Sequence, residues 1–271
     1  MAEKKLSKRK IKKEEKKRKK QEKLARQSPV WKGIKLGMKV MCLTLLVFFV
    51  IGIIIFYNTY GKKLLQFKAD AEALVAASSE ETFRKSETTQ CYDTNGNLLA
   101  ELKGDRSSYY VTYDEIPKDV VDAMIAIEDK KYLRHHGVDY MAIMRATLEL
   151  IKHKGEITEG GSTITQQLAR NIFLSTEVSY ERKFKEIFIA LALEKKYNKE
   201  QIMEFYLNNI YFANGYYGIE AASQGYFSCS VTQLSLGQIT FLCAIPNNPT
   251  MYDPLEHPKD TKERGNRILL Q

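Results

Sequence analysis

Residues 40–57 read VMCLTLLVFFVIGIIIFY, 18 consecutive positions without a charge. That length is at the lower end of what crosses a bilayer as a helix. A buried core helix of this length shows a polar face, and this run has none. A cleaved signal peptide has a shorter apolar stretch and then a small-residue cleavage site, which the following NTYGKKLL does not offer. The run therefore predicts a single transmembrane helix over 40–60, and the rest of the chain folds on one side of it or the other.

Charge decides which side. The whole chain carries a net +9, but residues 1–39 hold 17 Lys or Arg against 4 acidic residues, a balance of +13 that leaves −4 for the other 232. A segment such as KKLSKRKIKKEEKKRKKQEK is too polar to pack a core, so residues 1–39 are expected to be a disordered or transiently helical tail. Beside an apolar span such a tail holds the N-terminus in the cytoplasm and sends everything after about residue 60 outside. Orientation explains the basic residues better than nucleic acid does, and no nucleic-acid partner is expected. Cys42 falls inside the span, and Cys91, Cys229 and Cys243 lie beyond it without regular spacing. They make neither a disulfide framework nor a metal site, and core packing suits them.

Beyond the span, alanine-rich KADAEALVAASSEETF has helical character, and residues 61–87 are expected to form a stalk or linker. Asn95-Gly96 then sits between two apolar-containing runs, a strong β-hairpin signal. From Pro117 the pattern is helical almost throughout. Helices are expected near 117–131, 139–154, 163–174, 180–197, 199–209, 216–226 and 232–244. The prolines of PNNPTMYDPLEHP predict an extended, surface-wrapping segment, and KERGNRILLQ reads as a further helix.

Three stretches carry chemistry. Val121, Met124 and Ile125 precede Glu128 by seven, four and three residues, so Glu128 shares their helix face. A carboxylate on an apolar stripe is costly to ionise and suits proton transfer. Asp129 points off that stripe and is expected to be structural, as is the pair His135 and His136, which lacks helical ligand spacing. Asp139 is a plausible N-cap for the next helix. In GGSTITQQLARN, residues 160–171, Thr163 and Gln166 form a capping-box pattern, and Ile164, Leu168 and Ile172 form the buried stripe. Gln166, Gln167, Arg170 and Asn171 are then expected to face outward. A glycine-led helix N-terminus with free N–H groups would suit a phosphate. In YERKFKEIFIALALEKKY, Phe184, Ile187, Phe188 and Leu191 are expected to be buried, with Arg182, Lys183 and Glu186 on another side. A basic cluster, a helix N-terminus and two acids together point to a phosphorylated substrate and acid–base chemistry, although a solvated ion-pair face reads the same way locally.

EDKKYLRHHGVD, GGSTITQQLARN, RKFKE, QIMEFYLNNIYFANGYYGIEAA and PNNPTMYDP occur in one order along the chain. In that order they resemble the peptidoglycan glycosyltransferases, the glycan-polymerising domains of class A penicillin-binding proteins and of monofunctional transglycosylases. The resemblance covers residues 88–271. It implies a mainly α fold, a lysozyme-like bilobal domain with a small jaw lobe and a short β-hairpin, preceded by the membrane helix. It implies polymerisation of lipid II at the outer face of the cytoplasmic membrane. Glu128 matches the base that deprotonates the acceptor's 4-hydroxyl as it attacks the donor's anomeric carbon. Undecaprenyl pyrophosphate leaves and the centre inverts. Glu186 matches the second acid, which assists at the pyrophosphate or at a divalent ion such as Mg or Mn; no other cofactor is implied. Arg145, Ser162, Gln166, Gln167, Arg170, Asn171 and Lys183 match substrate-holding positions, and Arg182 of the basic cluster is grouped with them. Lipid II, the growing glycan and membrane lipid are the implied partners, with cell-wall synthesis or division proteins beside them.

Four positions depart from the family pattern. Arg170 stands for a lysine, Val178 for an arginine, Tyr132 for a phenylalanine and Ala213 for a glycine. A transpeptidase would need a nucleophilic serine in S-x-x-K within a further domain, and Ser7 to Lys10 in the tail is an accident of composition. The abrupt end at RILLQ favours a longer chain over a monofunctional enzyme. A lytic enzyme with a glutamate in a lysozyme-like cleft and a non-catalytic membrane scaffold are the alternatives. The basic residues beside Glu186 speak against the first, and the presence of Glu128 and Glu186 against the second.

Overall fold

The computed structural model describes residues 14–16, 29–84, 88–102, 106–153, 160–175, 177 and 179–271. They fall into two compact units, Met1–Lys63 and Leu64–Gln271. The first unit is dominated by α1 (Pro29–Phe56), followed by a π-helical turn over Tyr57–Gly61. The helix starts eleven residues before the uncharged run, so residues 29–39 of the expected disordered tail are helical. The first 28 residues lie outside the described ones, except for Glu14–Lys16, which are helical. Along α1 the apolar side chains from Val40 to Phe56 are exposed, Phe48 by 72%. Such a surface is stable against hydrocarbon and not against water. It is the one helix among the described residues long and apolar enough to cross a membrane.

The second unit begins inside α2 (Lys62–Ala77). Phe67, Ala71 and Val75 recur at steps of four and are buried. They face α7 (Tyr180–Lys196), whose Lys185 lies 5.0 Å from the Phe67 ring centroid. Lys195 pairs with Glu72 at 3.0 Å. Lys196 donates to the carbonyls of Val75 at 2.9 Å and Ala76 at 3.0 Å, and also to that of Ser78. One ammonium thus satisfies the end of α2, where carbonyls lack intrahelical partners. The segment expected as a stalk is helical, but it is laid along the domain. After α3 (Glu80–Arg84) come β1 (Thr89–Tyr92) and β2 (Leu98–Leu102). They pair antiparallel with a register shift at Cys91/Tyr92. In the turn Asp93 accepts from the N–H groups of Asn95 and Asn97 at 2.8 Å each. Gly96 there adopts φ 84°, as the Asn-Gly signal predicts.

The remaining helices are α4 (Lys118–Glu128), α5 (Tyr140–Lys152), α6 (Ile164–Phe173), α7, α8 (Lys199–Asn209), α9 (Ile219–Phe227), α10 (Leu236–Ala244) and α11 (Pro258–Leu269). Among the described residues the chain is mainly α with one two-stranded sheet. Three boundaries differ from expectation, the last of them that of α10, which starts at Leu236, not 232, after a separate 3₁₀ turn over Val231–Gln233. The first, α4, stops at Glu128, not 131, because Asp129 leaves the helical region at φ −156°, ψ 77°. The second, α9, starts at Ile219, because Ala213, Asn214, Gly215 and Gly218 before it all have positive φ. Ala213 at φ 64° explains why glycine suits that position. Residues 246–257 form successive turns, with Tyr252 N–H donating to Asn248 O and His257 N–H to Asp253 O. They are not the extended segment expected.

In the core, Phe83 stacks on Phe205 at 3.9 Å, with Tyr197 edge-on to both. Another buried ring, Tyr132, explains its own departure from phenylalanine: its hydroxyl donates to the Lys199 carbonyl at 2.6 Å, and the Lys199 ammonium lies 4.4 Å from the ring centroid. Burial, then the charges of Glu194 and Asp129, push that hydroxyl well above the usual tyrosine range, so it stays a donor. Tyr132→Phe removes this bond and should cost about 1 kcal/mol. Thermal unfolding should shift downward by roughly 2–4 °C for a domain of this size; an unchanged midpoint would contradict the bond's contribution.

Candidate active site

The site is built around α6. Thr163 caps it: the hydroxyl accepts from Gln166 N–H at 3.1 Å, and the Gln166 carbonyl oxygen accepts from Thr163 N–H at 3.0 Å. This is the expected capping box. The end it caps, however, is not open to a phosphate. Asp129 Oδ2 accepts from the first helical N–H, Ile164, at 3.2 Å and from His135 Nε2 at 2.8 Å. His135 Nδ1 in turn accepts from Gly137 N–H at 3.2 Å, a structural role for the histidine. The positive end of α6 is thus answered by the protein's own carboxylate. Asp139 caps α5 through the N–H groups of Met141 and Ala142.

Of the α6 amides, Asn171 is exposed as expected, but Gln166 and Gln167 do not face outward. Gln166 is fully buried, and its Nε2 has no partner. Folding back to close the capping box takes its side chain inside. Gln167 is also buried and turns toward α4, where its Nε2 donates to Glu128 Oε2 at 2.8 Å. Its carbonyl oxygen accepts from the Tyr206 hydroxyl of α8 at 3.2 Å. Tyr206 is completely buried, and burial followed by the Glu128 charge raises its hydroxyl well above the ordinary value. It therefore remains a donor and fixes which way the Gln167 amide points. Tyr206 was not singled out from the sequence, although it stands inside QIMEFYLNNIYF; nothing local distinguishes it from a core tyrosine.

The second acid is also placed differently. On α7, Glu186 lies on the buried face with Ile189, Ala190 and Leu193, whereas Phe184 is 46% exposed. Of the expected stripe, Ile187, Phe188 and Leu191 are only partly buried, with Phe188 packed against the core. Glu186 is 1% exposed, and Oε1 is paired with Lys183. Lys183 also donates to Ser162 Oγ at 2.7 Å. Both acids share a pattern: one oxygen is held, while Glu128 Oε1 and Glu186 Oε2 are buried without a partner. Buried polar atoms are rarely left so unless something else meets them.

Two cavities flank this arrangement. One, about 520 Å³, is lined by Glu128, Arg145, Ser162, Lys130 and Lys131. Gly161 makes it possible, since a Cβ there would sit 3.3 Å from Ala146 and 3.4 Å from the Ala142 carbonyl of α5. The other, about 660 Å³, lies toward the C-terminal end of α6 and takes Arg170, Asn171 and Arg182. The expected site residues are thus divided: Glu128, Arg145 and Ser162 at one cavity, Arg170, Asn171 and Arg182 at the other, with Gln167, Lys183 and Glu186 attached by hydrogen bonds. Val178 lies outside the described residues. Among the described residues no group of three or more His, Cys, Asp or Glu could hold a metal. Glu186 is paired with an ammonium and has no second carboxylate beside it among the described residues, so Mg or Mn there would draw its other oxygens from substrate phosphates and water.

With this geometry in hand, the sequence can be compared with known proteins. The pattern of the family described as Transglycosylase matches residues 95–271. The chain belongs to that family. Penicillin-binding protein 4 of Bacillus subtilis is 42% identical over 210 residues, 77% of this chain and 34% of its own length. Penicillin-binding protein 1A of Aquifex aeolicus is 42% identical over 189 residues, 70% of this chain and 26% of its own. This transglycosylase chain therefore spans about a third or less of the length of these relatives. The crystal structure of penicillin-binding protein 1A from Haemophilus influenzae matches 68% of this chain and 18% of that one, at 21% identity and a TM-score of 0.35.

One wall of the site can be tested directly. Burial, then the charge of Glu128, push the Cys243 thiol on α10 up to about 12. A thiol pushed up in this way is neutral through the physiological range and nucleophilic only above it. Iodoacetamide at pH 8 should modify exposed Cys91 and spare Cys243 until the protein is unfolded. Modification of native Cys243 as fast as Cys91 would contradict the packing behind Glu128.

Proposed function

We propose that this chain polymerises lipid II into peptidoglycan glycan strands at the outer face of the cytoplasmic membrane. The observation that carries the reading is the pair of carboxylates, half-buried Glu128 and buried Glu186, each held by one oxygen and with the other oxygen buried and unpartnered, beside cavities lined by cations. Glu128 Oε1 takes the proton of the acceptor's 4-hydroxyl as that oxygen forms a bond to the donor's anomeric carbon. The bond from that carbon to the pyrophosphate breaks, undecaprenyl pyrophosphate departs, and attack opposite the leaving group inverts the centre. Gln167, aimed by Tyr206, holds the other oxygen of Glu128 so that the base keeps one orientation. Negative charge grows on the departing pyrophosphate, and Arg170, Arg182 and Lys183 stabilise it. Glu186 fixes the Lys183 ammonium against Ser162.

The membrane reading has independent support. The apolar length of α1 follows a strongly basic segment, which favours a cytoplasmic N-terminus and an external catalytic domain. The helix beside Glu128, α5, exposes Tyr140, Met141, Met144 and Leu148, and the start of α7 exposes Tyr180 and Phe184. An apolar rim around a charged cleft suits a substrate that is half lipid. A lytic enzyme meets no pyrophosphate, so cations gathered beside the acids favour transfer from a pyrophosphate-linked donor. Recruitment by other cell-wall synthesis proteins fits such an anchored domain.

Glu128→Gln tests the base. Its amide keeps the size and removes the proton acceptor, so polymer formation from lipid II should fall about 10²–10⁴-fold while lipid II still binds. Near-normal polymerisation by the variant would overturn Glu128 as base and shift the role to Glu186.

A further inference from the structure

We propose that Arg106, which lies outside the five stretches that carry the family resemblance, belongs to the substrate site and completes a three-arginine clamp with Arg170 and Arg182 for an oxyanion of the donor. The inference rests on the transfer reaction proposed above and names a further residue for it. All three side chains line the same cavity of about 660 Å³, and no carboxylate lines it among the described residues. None of the three has an ion-pair partner among the described residues. The Nε of Arg182 is buried and makes no hydrogen bond. Like charges gathered in one concavity repel each other, and an arrangement of this kind is relieved by a bound anion. The volume falls within the range that holds a ligand larger than a lone phosphate.

Arg106 is aimed by elements far from it in sequence. The next residue, Ser107, donates its N–H to the Gly215 carbonyl at 2.9 Å, and its own carbonyl accepts from Tyr217 N–H at 2.9 Å. These two bonds tie the segment after β2 to the positive-φ loop before α9. They set the Arg106 guanidinium against the Tyr217 ring, 4.7 Å from its centroid, and Tyr211 braces that ring at 4.8 Å. A guanidinium resting on an aromatic face keeps its planar fork free at the edge, which is the geometry that takes phosphate or carboxylate oxygens two at a time. The polymer-carrying donor offers both chemistries, on its pyrophosphate and on the carboxylates of its peptide-bearing sugar. The clamp would hold either oxyanion, and direct binding separates the sources.

The experiment compares the full chain with Arg106→Ala and Arg106→Lys, using inorganic pyrophosphate and a phosphate-free disaccharide-peptide as calorimetric probes. Arg106→Ala should weaken binding of at least one probe by about tenfold or more, with Arg106→Lys intermediate because it restores charge but not the fork. Tyr217→Leu should weaken the same probe in the same direction, since it removes the ring that holds the guanidinium. Loss with pyrophosphate assigns the clamp to the leaving group; loss with the disaccharide-peptide assigns it to the sugar's carboxylate; loss with both assigns it to their junction. Unchanged affinity for both probes in a variant with an unchanged unfolding temperature overturns the proposal. A wild-type chain that binds a probe through Arg106 yet forms no polymer from lipid II would keep the clamp and overturn the transfer reading, so the two failures are distinct.

Discussion

The carboxylate of Asp129 holds the site together. It accepts from the first N–H of α6 and from His135, so it pins the end of α4 to the start of the helix that carries the site residues. Glu128 is the residue immediately before it. Its position opposite Gln167 therefore follows from a bond made by its neighbour. Removing that carboxylate would leave a buried histidine and a helix N-terminus without their acceptor, and the loss would reach Glu128 through one peptide unit. The same bond also removes the N-terminus of α6 from competition for phosphate. In the proposed reaction, anion recognition therefore falls to side chains, to Arg170 and Arg182 near the other end of the helix and to Lys183 between the acids.

Features set by neighbours in sequence were legible in the sequence. The Thr163 and Gln166 cap, the Asp139 cap and the Asn95-Gly96 turn depend on residues two to four apart, and each formed as its pattern predicts. The uncharged run 40–57 likewise reads as an apolar helix without further information. What failed was the assignment of faces. Gln167 is polar and sits on a polar-looking side, but its partners Glu128 and Tyr206 are each 39 residues away. Glu186 looked like a surface ion-pair residue because Lys183 is three positions before it; the same pair occurs, inside the fold. On α7 the long apolar side chains Phe184 and Phe188 outweighed Ile189, Ala190 and Leu193 in the pattern, yet the smaller set is buried. Periodicity locates a stripe, and the packing partner decides which stripe goes in.

The two acids now have a common physical description. Glu186 is buried and Glu128 half-buried; each is tied at one oxygen to a group that is itself fixed, and each leaves one buried oxygen without a partner. That is a strained use of buried polar atoms, and such strain gathers where a reacting group is to be met. Cations line the cavities beside the acids, and α5 exposes apolar side chains next to one of them. Neither feature requires the other for folding. Their occurrence in one domain is what favours the proposed glycan transfer from a lipid-linked donor.

The central claim is transfer, and the most direct measurement is the product balance of the wild-type chain given lipid II alone in detergent. The account predicts glycan polymer that lengthens with time and one undecaprenyl pyrophosphate released for each new glycosidic bond. Unchanged lipid II, or release of the pyrophosphate lipid with free disaccharide-peptide in place of polymer, would contradict it.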